Sequence, residues 1–376
     1  MNSWIRNIQL EGDRTIWGVV FVLSLFSVLV VYSTAGWNFL FNHIVKLMLG
    51  LLAMYIVHKI KFKYFSKLGQ LGFIFSILLL VLVLLIGVSI NGASRWLNIA
   101  GLQFQPSDVA KLAILIYMAR QISIKRDCLH NFKDLVWYVI SPLVLVCFLI
   151  LPNNFSTAAL IFLNGLVLMF VAKIRLKFIA GIIGCSFLCV ATIYFSSKYT
   201  KFGTEIMPRS ATWVSRIDSF FIDNEGDDQT KDFQQIQALV AIQKGGVSGL
   251  GPGKSTQRSI LPFSSSDFIY AIILEEYGLF GGVTVLLFYL ILMFRAIRIS
   301  LNTDSMFGGL LCVGLMFSLV FQALVNMLVS VGIMPVTGQT LPFISMGGTS
   351  IVFSCITIGL ILSVSRDSKD RSYGKA

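Results

Sequence analysis

The 376-residue chain is 56% hydrophobic and only 13% charged, with a mean hydropathy of +0.81. A soluble core of this size would not need so much apolar content, so the sequence encodes an integral membrane protein. Its net charge of +12 does not point to nucleic acid, because Lys and Arg fall in short clusters between apolar runs and form no stripe with interleaved aromatics. The six cysteines show no Cys-x-x-Cys spacing and the three histidines, His43, His58 and His130, stand far apart, so neither disulfides nor a zinc centre is expected.

A polar start to Arg14 feeds directly into an apolar run long enough to span a bilayer, so no cleavable signal peptide is expected. Apolar runs occupy residues 15 to 35, 39 to 58, 68 to 89, 106 to 121, 135 to 151, 156 to 172, 178 to 196, 268 to 294, 306 to 331 and 343 to 364. The fold class is therefore an all-α integral membrane protein with ten transmembrane helices. Arg6 and Arg14, the lysines at 59, 61, 63 and 67, then Arg120, Lys125, Arg126 and Lys133 fall on alternate loops. Lys173, Arg175, Lys177, Arg295, Arg298 and the basic tail (Arg366, Lys369, Arg371, Lys375) continue the series, while the short loops of the other side carry only Arg95. This asymmetry predicts that both termini are cytoplasmic. The whole chain, 1 to 376, reads as one membrane domain.

A long extracytoplasmic loop, residues 197 to 267, lies between helices seven and eight, and its length marks it as functional. Its first half, with Arg209, Trp213, Arg216 and the run from Asp223 to Asp228, reads as polar and turn-rich. The second half, from Phe233 to Val247, has a helical period. Gly-Pro-Gly-Lys-Ser-Thr at 251 to 256 is not a P-loop, since Ser248 stands where the first glycine is required and no soluble α/β domain surrounds it. No nucleotide is expected.

Three outer segments carry candidate chemistry. The loop ends in Asp267 at the water–membrane boundary, with Glu275 and Glu276 two turns further in; carboxylates there are costly and point to function, although Asp267 is also an ordinary helix cap. The second segment, residues 91 to 111, is too polar to face lipid and must re-enter against protein or a water-filled cavity. Pro106 suits the first turn of span four, where Asp108 is favoured by the helix dipole. Lys111 lies on the same face, so it either pairs with Asp108 or joins Arg95 in an anion site. The third, residues 334 to 350, has the prolines and glycines of a tight turn; Ser345, Gly347 and Gly348 either hold an oxyanion or belong to a rigid packed loop.

Phe104-Gln105-Pro106-Ser107-Asp108-Val109-Ala110-Lys111, the Asp267-Phe268-Ile269-Tyr270-Ala271 run with Glu275-Glu276-Tyr277-Gly278, and Pro335-Val336-Thr337-Gly338 through Leu341-Pro342-Phe343-Ile344-Ser345-Met346-Gly347-Gly348-Thr349-Ser350 together resemble the signature blocks of the SEDS family, that of RodA and FtsW. The likeness covers nearly the whole chain and is closer to FtsW-like sequences. It departs at Asp108, where the family usually has Glu, at Met346, usually Tyr, and at Leu151 to Thr157, usually Gln-Pro-Asp-x-Gly-Thr. The resemblance implies a peptidoglycan glycosyltransferase that polymerises lipid II outside the cytoplasmic membrane, in cell division, paired with a class B penicillin-binding protein and other divisome or elongasome proteins.

On that reading Asp267 is the candidate base, Arg95 and Lys111 meet the leaving diphosphate with Asp108 and Gln105 beside them, and a divalent cation, Mg²⁺ or Mn²⁺, suits carboxylates and phosphates. In a regular helix from Asp267, Glu275 would lie about 12 Å along the axis and roughly 80° round. Glycosidase carboxylates stand about 5 to 9.5 Å apart across one bond, so Glu275 and Glu276 are expected to support the site. A lipid II flippase is the alternative, though transporters concentrate charge at the bilayer midplane and in inverted repeats.

Overall fold

The computed structural model describes residues 11–90, 93–99, 102–199, 209–221 and 233–373. Among the described residues, seven helices are long and apolar enough to cross a membrane. The first, α1 (Arg14–Lys59), has 46 residues and is interrupted at Gly36, φ 75°. Its length would be about 69 Å if straight, twice the hydrocarbon thickness. The Ser27 hydroxyl meets His43 Nε2 at 2.5 Å, nine residues before the break against seven after it, so the two limbs run back alongside one another as a hairpin of two spans.

α2 (Phe62–Ile86) follows, then α3 (Pro106–Ile124), α4 (Phe132–Ile150), α5 (Phe155–Val171) and α6 (Leu176–Tyr199). Two shorter helices, α7 (Ser210–Phe221) and α8 (Phe233–Gly245), form the described parts of the long loop. α9 (Ile269–Leu301), α10 (Met306–Ser330) and α11 (Ser350–Tyr373) complete the bundle. With α1 counted as two spans, and with α3 and the 17-residue α5 added to the other long helices, the helices match the ten apolar segments one for one. α3 falls short on hydropathy because Asp108, Lys111 and Arg120 sit in it. The last span starts later than its hydropathy, at Ser350, because Phe343 and Ile344 are spent on a fully buried turn ahead of the helix. α10 is the central post, with 78% of its apolar window buried, against 6% for the peripheral α6.

Two expectations change. The segment expected to re-enter folds instead as a small antiparallel meander, β1 (Val88–Ile90), β2 (Ala93–Ile99) and β3 (Leu102–Phe104), with Val88 opposite Trp96 and Leu97 opposite Phe104. Strand pairing satisfies backbone groups locally, which is the same requirement met by another route. The first half of the long loop is not turn-rich throughout, since 210 to 221 is the helix α7; the run from Asp223 to Asp228 lies outside the described residues.

α9 is also interrupted, at Gly278 (φ 65°, ψ −167°). The freed carbonyls of Glu275 and Glu276 accept the Leu250 and Gly251 N–H groups, both at 2.9 Å, and Leu279 N–H donates to Gly246 O at 3.1 Å. The chain leaving α8 is thus spliced into the gap. Glycine is required there, because a Cβ on Gly278 would sit 2.3 Å from Val247 O and one on Gly249 2.3 Å from Glu276 O.

Opposite the long loop, Glu11 pairs with Lys59 and Arg366, and Asp13 with Arg295, gathering the start of α1 and the ends of its second limb, α9 and α11 on one face. We expect Gly278→Ala to lower unfolding stability in detergent by about 3 kcal/mol through positive-φ strain and backbone collision. Gly184→Ala, whose Cβ meets nothing within 4 Å, should leave the melting temperature unchanged in the same scan.

Candidate active site

On the loop face, a cavity of about 380 Å³ is lined by all three outer segments together with α7. Asp267 enters it from a tight turn in which Phe263, at φ 58°, accepts the Asp267 and Phe268 N–H groups at 3.1 and 3.3 Å. Phe268, fully buried, anchors the turn and is itself the N-cap of α9, with no side-chain capping bond. The Asp267 carboxylate is therefore not spent on a cap. Burial raises its pKa above the ordinary carboxylate value of 3.8, while the Ser266 hydroxyl and the charges of Arg95 and Arg216 pull against that rise.

Three guanidinium groups share the cavity wall. Arg95 comes from β2; Arg209 and Arg216, seven residues apart, come from one face of α7 and the residue leading into it. Arg95 Nε and Arg209 Nη1 donate to the same carbonyl, Asn153 O, at 2.7 and 3.1 Å, and Arg216 Nη1 donates to Val336 O at 2.9 Å. Burial, then Arg209 and Arg216, lower the Arg95 pKa to about 10, which leaves it charged at neutral pH. The opposite face of α7 sets Trp213, Val214 and Ile217 against Val190, Ile193 and Tyr194 of α6, and Asp218 accepts from Tyr194 at 2.6 Å and Lys198 at 2.9 Å.

Asp108, Lys111 and Gln105 also line the cavity. Of the two alternatives for Lys111, the Asp108–Lys111 pair is not among the ion pairs of the described residues. Lys111 Nζ instead donates to Gln322 Oε1 at 2.7 Å, a neutral partner supplied by α10. Asp108 Oδ2 is buried with no hydrogen-bond partner. Gln105 precedes α3 and donates to Ser107 Oγ at 2.9 Å. Gly347 and Gly348 form part of the wall, with the Trp96 ring 3.7 Å from where a Gly348 Cβ would stand.

Ser345 does not line the cavity. Its hydroxyl accepts from Leu341 N–H at 2.8 Å and donates to Ser266 O at 2.6 Å, and Met346 N–H donates to Ser265 O at 2.9 Å. Ser345 thus straps the third segment to the turn that presents Asp267. Glu275 and Glu276, fully buried, lie outside the cavity as well. Glu275 accepts from the Ser255 hydroxyl, from Thr256 N and Oγ1 at 2.9 and 2.8 Å and from Gln257 N at 3.3 Å. Glu276 accepts from Ser33 of α1 and from Ser255 N at 3.4 Å. Both glutamates hold the spliced loop, which accounts for their burial, and the expected regular helix starts not at Asp267 but two residues later, at Ile269.

Several lining residues escape the sequence reading: Arg209, Arg216, Asn154, Thr157, Gln322 and Gln339. The seven-residue spacing of Arg209 and Arg216 was the available signal. So were Gln322, Asn326 and Ser330, a polar row at four-residue intervals in an otherwise apolar span.

The fold and the cavity define a multi-span, all-α membrane protein with a loop-face site that sets one carboxylate against clustered arginines. The family model described as "Cell cycle protein", for FtsW, RodA and SpoVE, matches residues 10–370, and the chain belongs to that family. The probable peptidoglycan glycosyltransferase FtsW of Geobacter sp. (strain M18) is 30% identical over 372 residues, covering 95% of this chain and 98% of the relative. Stage V sporulation protein E of Bacillus subtilis (strain 168) is 31% identical over 331 residues, 85% of each chain. Among solved structures, a chain from work on the structural coordination of polymerization and crosslinking by a peptidoglycan synthase complex aligns with a TM-score of 0.77 at 26% identity, covering 95% of this chain and 98% of that one. The rod shape determining protein RodA of Thermus thermophilus shares the fold, with a TM-score of 0.67 at 24% identity and coverage of 95% and 97%.

The Glu275 clamp predicts that Glu275→Gln, which turns an acceptor oxygen into a donor among donors, lowers stability by about 1–3 kcal/mol. Amide hydrogen exchange at Thr256 and Gln257 should accelerate while exchange in α10 stays slow.

Proposed function

We infer that this chain is a peptidoglycan glycosyltransferase that polymerises lipid II on the outer face of the cytoplasmic membrane, with its termini in the cytoplasm. The observation that carries the mechanism is the Asp267 carboxylate, free of capping duty, in a cavity walled by Arg95, Arg209 and Arg216. In this reaction the 4-hydroxyl oxygen of one sugar bonds to the anomeric carbon of another, and the bond from that carbon to the lipid diphosphate breaks. Asp267 takes the hydroxyl proton, and its burial-raised pKa moves the base toward the operating pH. The guanidinium groups receive the negative charge that grows on the departing diphosphate, in the planar geometry that suits phosphate oxygens. Lys111, held by Gln322, adds a point charge at the cavity floor.

A divalent cation, Mg²⁺ or Mn²⁺, would supply further charge neutralisation at the diphosphate. Among the described residues no three His, Cys, Asp or Glu side chains come together as a ligand set. Such an ion would use the unpartnered Asp108 Oδ2 together with phosphate oxygens of the substrate. A class B penicillin-binding protein is the partner proposed to crosslink the product, and the synthase-complex likeness supports that pairing. The FtsW-named relatives favour a role in division.

Purified Asp267→Asn protein, assayed with labelled lipid II and the penicillin-binding partner, should bind both and make no polymer. Normal polymerisation by this variant would overturn the assignment of the base, and lipid translocation without polymer by the unaltered protein would point to a flippase. In the unaltered enzyme the rate should fall as pH drops through a midpoint above 3.8, because the base must be deprotonated. Arg216 favours the charged carboxylate, so Arg216→Ala should move that midpoint to higher pH and reduce turnover by about 10- to 100-fold.

A further inference from the structure

α10 carries two amide side chains inside the bundle, Gln322 and Asn326, one turn apart and only 4% and 1% exposed. A buried amide is costly unless its hydrogens and oxygens are bonded. Asn326 Nδ2 donates to the Asp267 carbonyl and to the Gln339 carbonyl, both at 2.7 Å, using both of its hydrogens. Its oxygen is buried with no partner, so the side chain bonds through its NH₂ group alone. Both acceptors are carbonyl oxygens, which fixes the orientation of the amide. Gln322 accepts from Lys111 at 2.7 Å and donates to Thr340 O at 2.9 Å and Thr340 Oγ1 at 3.4 Å. Gln339 in turn reaches Thr157 of α5 at 3.0 Å. The second, long-loop and third segments, with no covalent link among them nearer than tens of residues, therefore converge on one helix face.

We propose that Gln322 and Asn326 are positioning residues for glycan polymerisation: two amides on α10 that hold Lys111, Asp267 and the 337–340 turn in mutual register. The inference rests on Asp267 being the base, and it assigns no contact with the reacting atoms to Asn326. With Asn326 removed, the turn bearing Asp267 relaxes toward the cavity and gains water. The reacting groups lose alignment while the arginines that bind substrate stay in place. The charged groups facing Asp267 across the cavity, Arg95, Arg209, Arg216, Asp108 and Lys111, are untouched by the change.

The test uses Asn326→Leu and the isosteric Asn326→Asp in the full-length protein with its partner, with kcat, KM for lipid II, the rate–pH profile and the melting temperature read for each. A misalignment of this kind is expected to lower kcat about 10²-fold with KM nearly unchanged, and to move the acid midpoint to lower pH as Asp267 becomes hydrated. Asn326→Asp, which keeps the volume but presents oxygens to two carbonyls, should lose kcat like the leucine variant, while its added negative charge beside Asp267 opposes the downward movement of the midpoint. Gln322→Glu, which keeps the Lys111 contact and loses the donors to Thr340, should show a smaller loss than Gln322→Met.

Unaltered kcat and midpoint in a folded Asn326 variant would overturn the proposal. So would a loss of activity that merely follows a loss of folded protein, with the midpoint of the residual activity unmoved, or failure of both Asn326 variants to fold. Asp267→Asn is assayed alongside. If it polymerises normally, the function reading falls; if it is inactive while the Asn326 variants behave as unaltered enzyme, only the positioning inference falls.

Discussion

Every polar group carried into the bundle must find a partner there, because hydrocarbon offers none. A site that needs carboxylates, guanidinium groups and loop backbone at the edge of a membrane can exist only where the helices are opened and the openings are filled. α9 is the plainest case. Its break at Gly278 frees two carbonyls, and the chain after α8 fills the gap with its own N–H groups. Glu275 and Glu276 then bind the rest of that loop through five donor groups, the N–H groups of Ser255, Thr256 and Gln257 and the hydroxyls of Ser255 and Thr256. The turn that follows, and with it Asp267, inherits its place from this splice.

The electrostatics of the cavity follow from the same construction. Three guanidinium groups near one another would repel if solvated alone, and Arg95 is shifted downward by burial and by its two neighbours. Carbonyls of the 153 and 336 turns accept from them, and Asp267 supplies the opposing charge. The arrangement is cationic by excess, which suits the diphosphate-bearing substrate proposed for it. Asp267 is correspondingly poised: burial alone would push it further up than it goes, and the arginines restrain it.

Much of this was legible in the sequence. Hydropathy located the ten spans because lipid contact imposes continuous apolar runs, and Asp267, Arg95, Asp108 and Lys111 stood out because polar residues at span mouths are costly, while Gln105 entered only through the family resemblance. Other features depend on contacts distant in sequence and left no local trace. The pairing of 245–251 with 275–279 joins segments some thirty residues apart, so the break of α9 at Gly278 had no local signal. The meander at 88–104 is made of strands of three, seven and three residues, too short for a clear alternation. Arg209 and Arg216 were visible as residues but not as a pair, since their surroundings read as turn. Ser345 was placed in the right segment with the wrong orientation: its hydroxyl faces a carbonyl behind the wall.

The polar row on α10 has a metric consequence. Four residues of α-helix advance about 6 Å and turn a little more than a full circle, so the bond to Lys111 and the bond to the Asp267 turn are separated by a length that the helix, not the loops, dictates. α10 serves as a ruler for the site. Its most deeply packed helix is the one element whose register cannot drift, and a single inserted residue between Gln322 and Asn326 would rotate one anchor by about 100° away from the other while leaving every loop sequence intact.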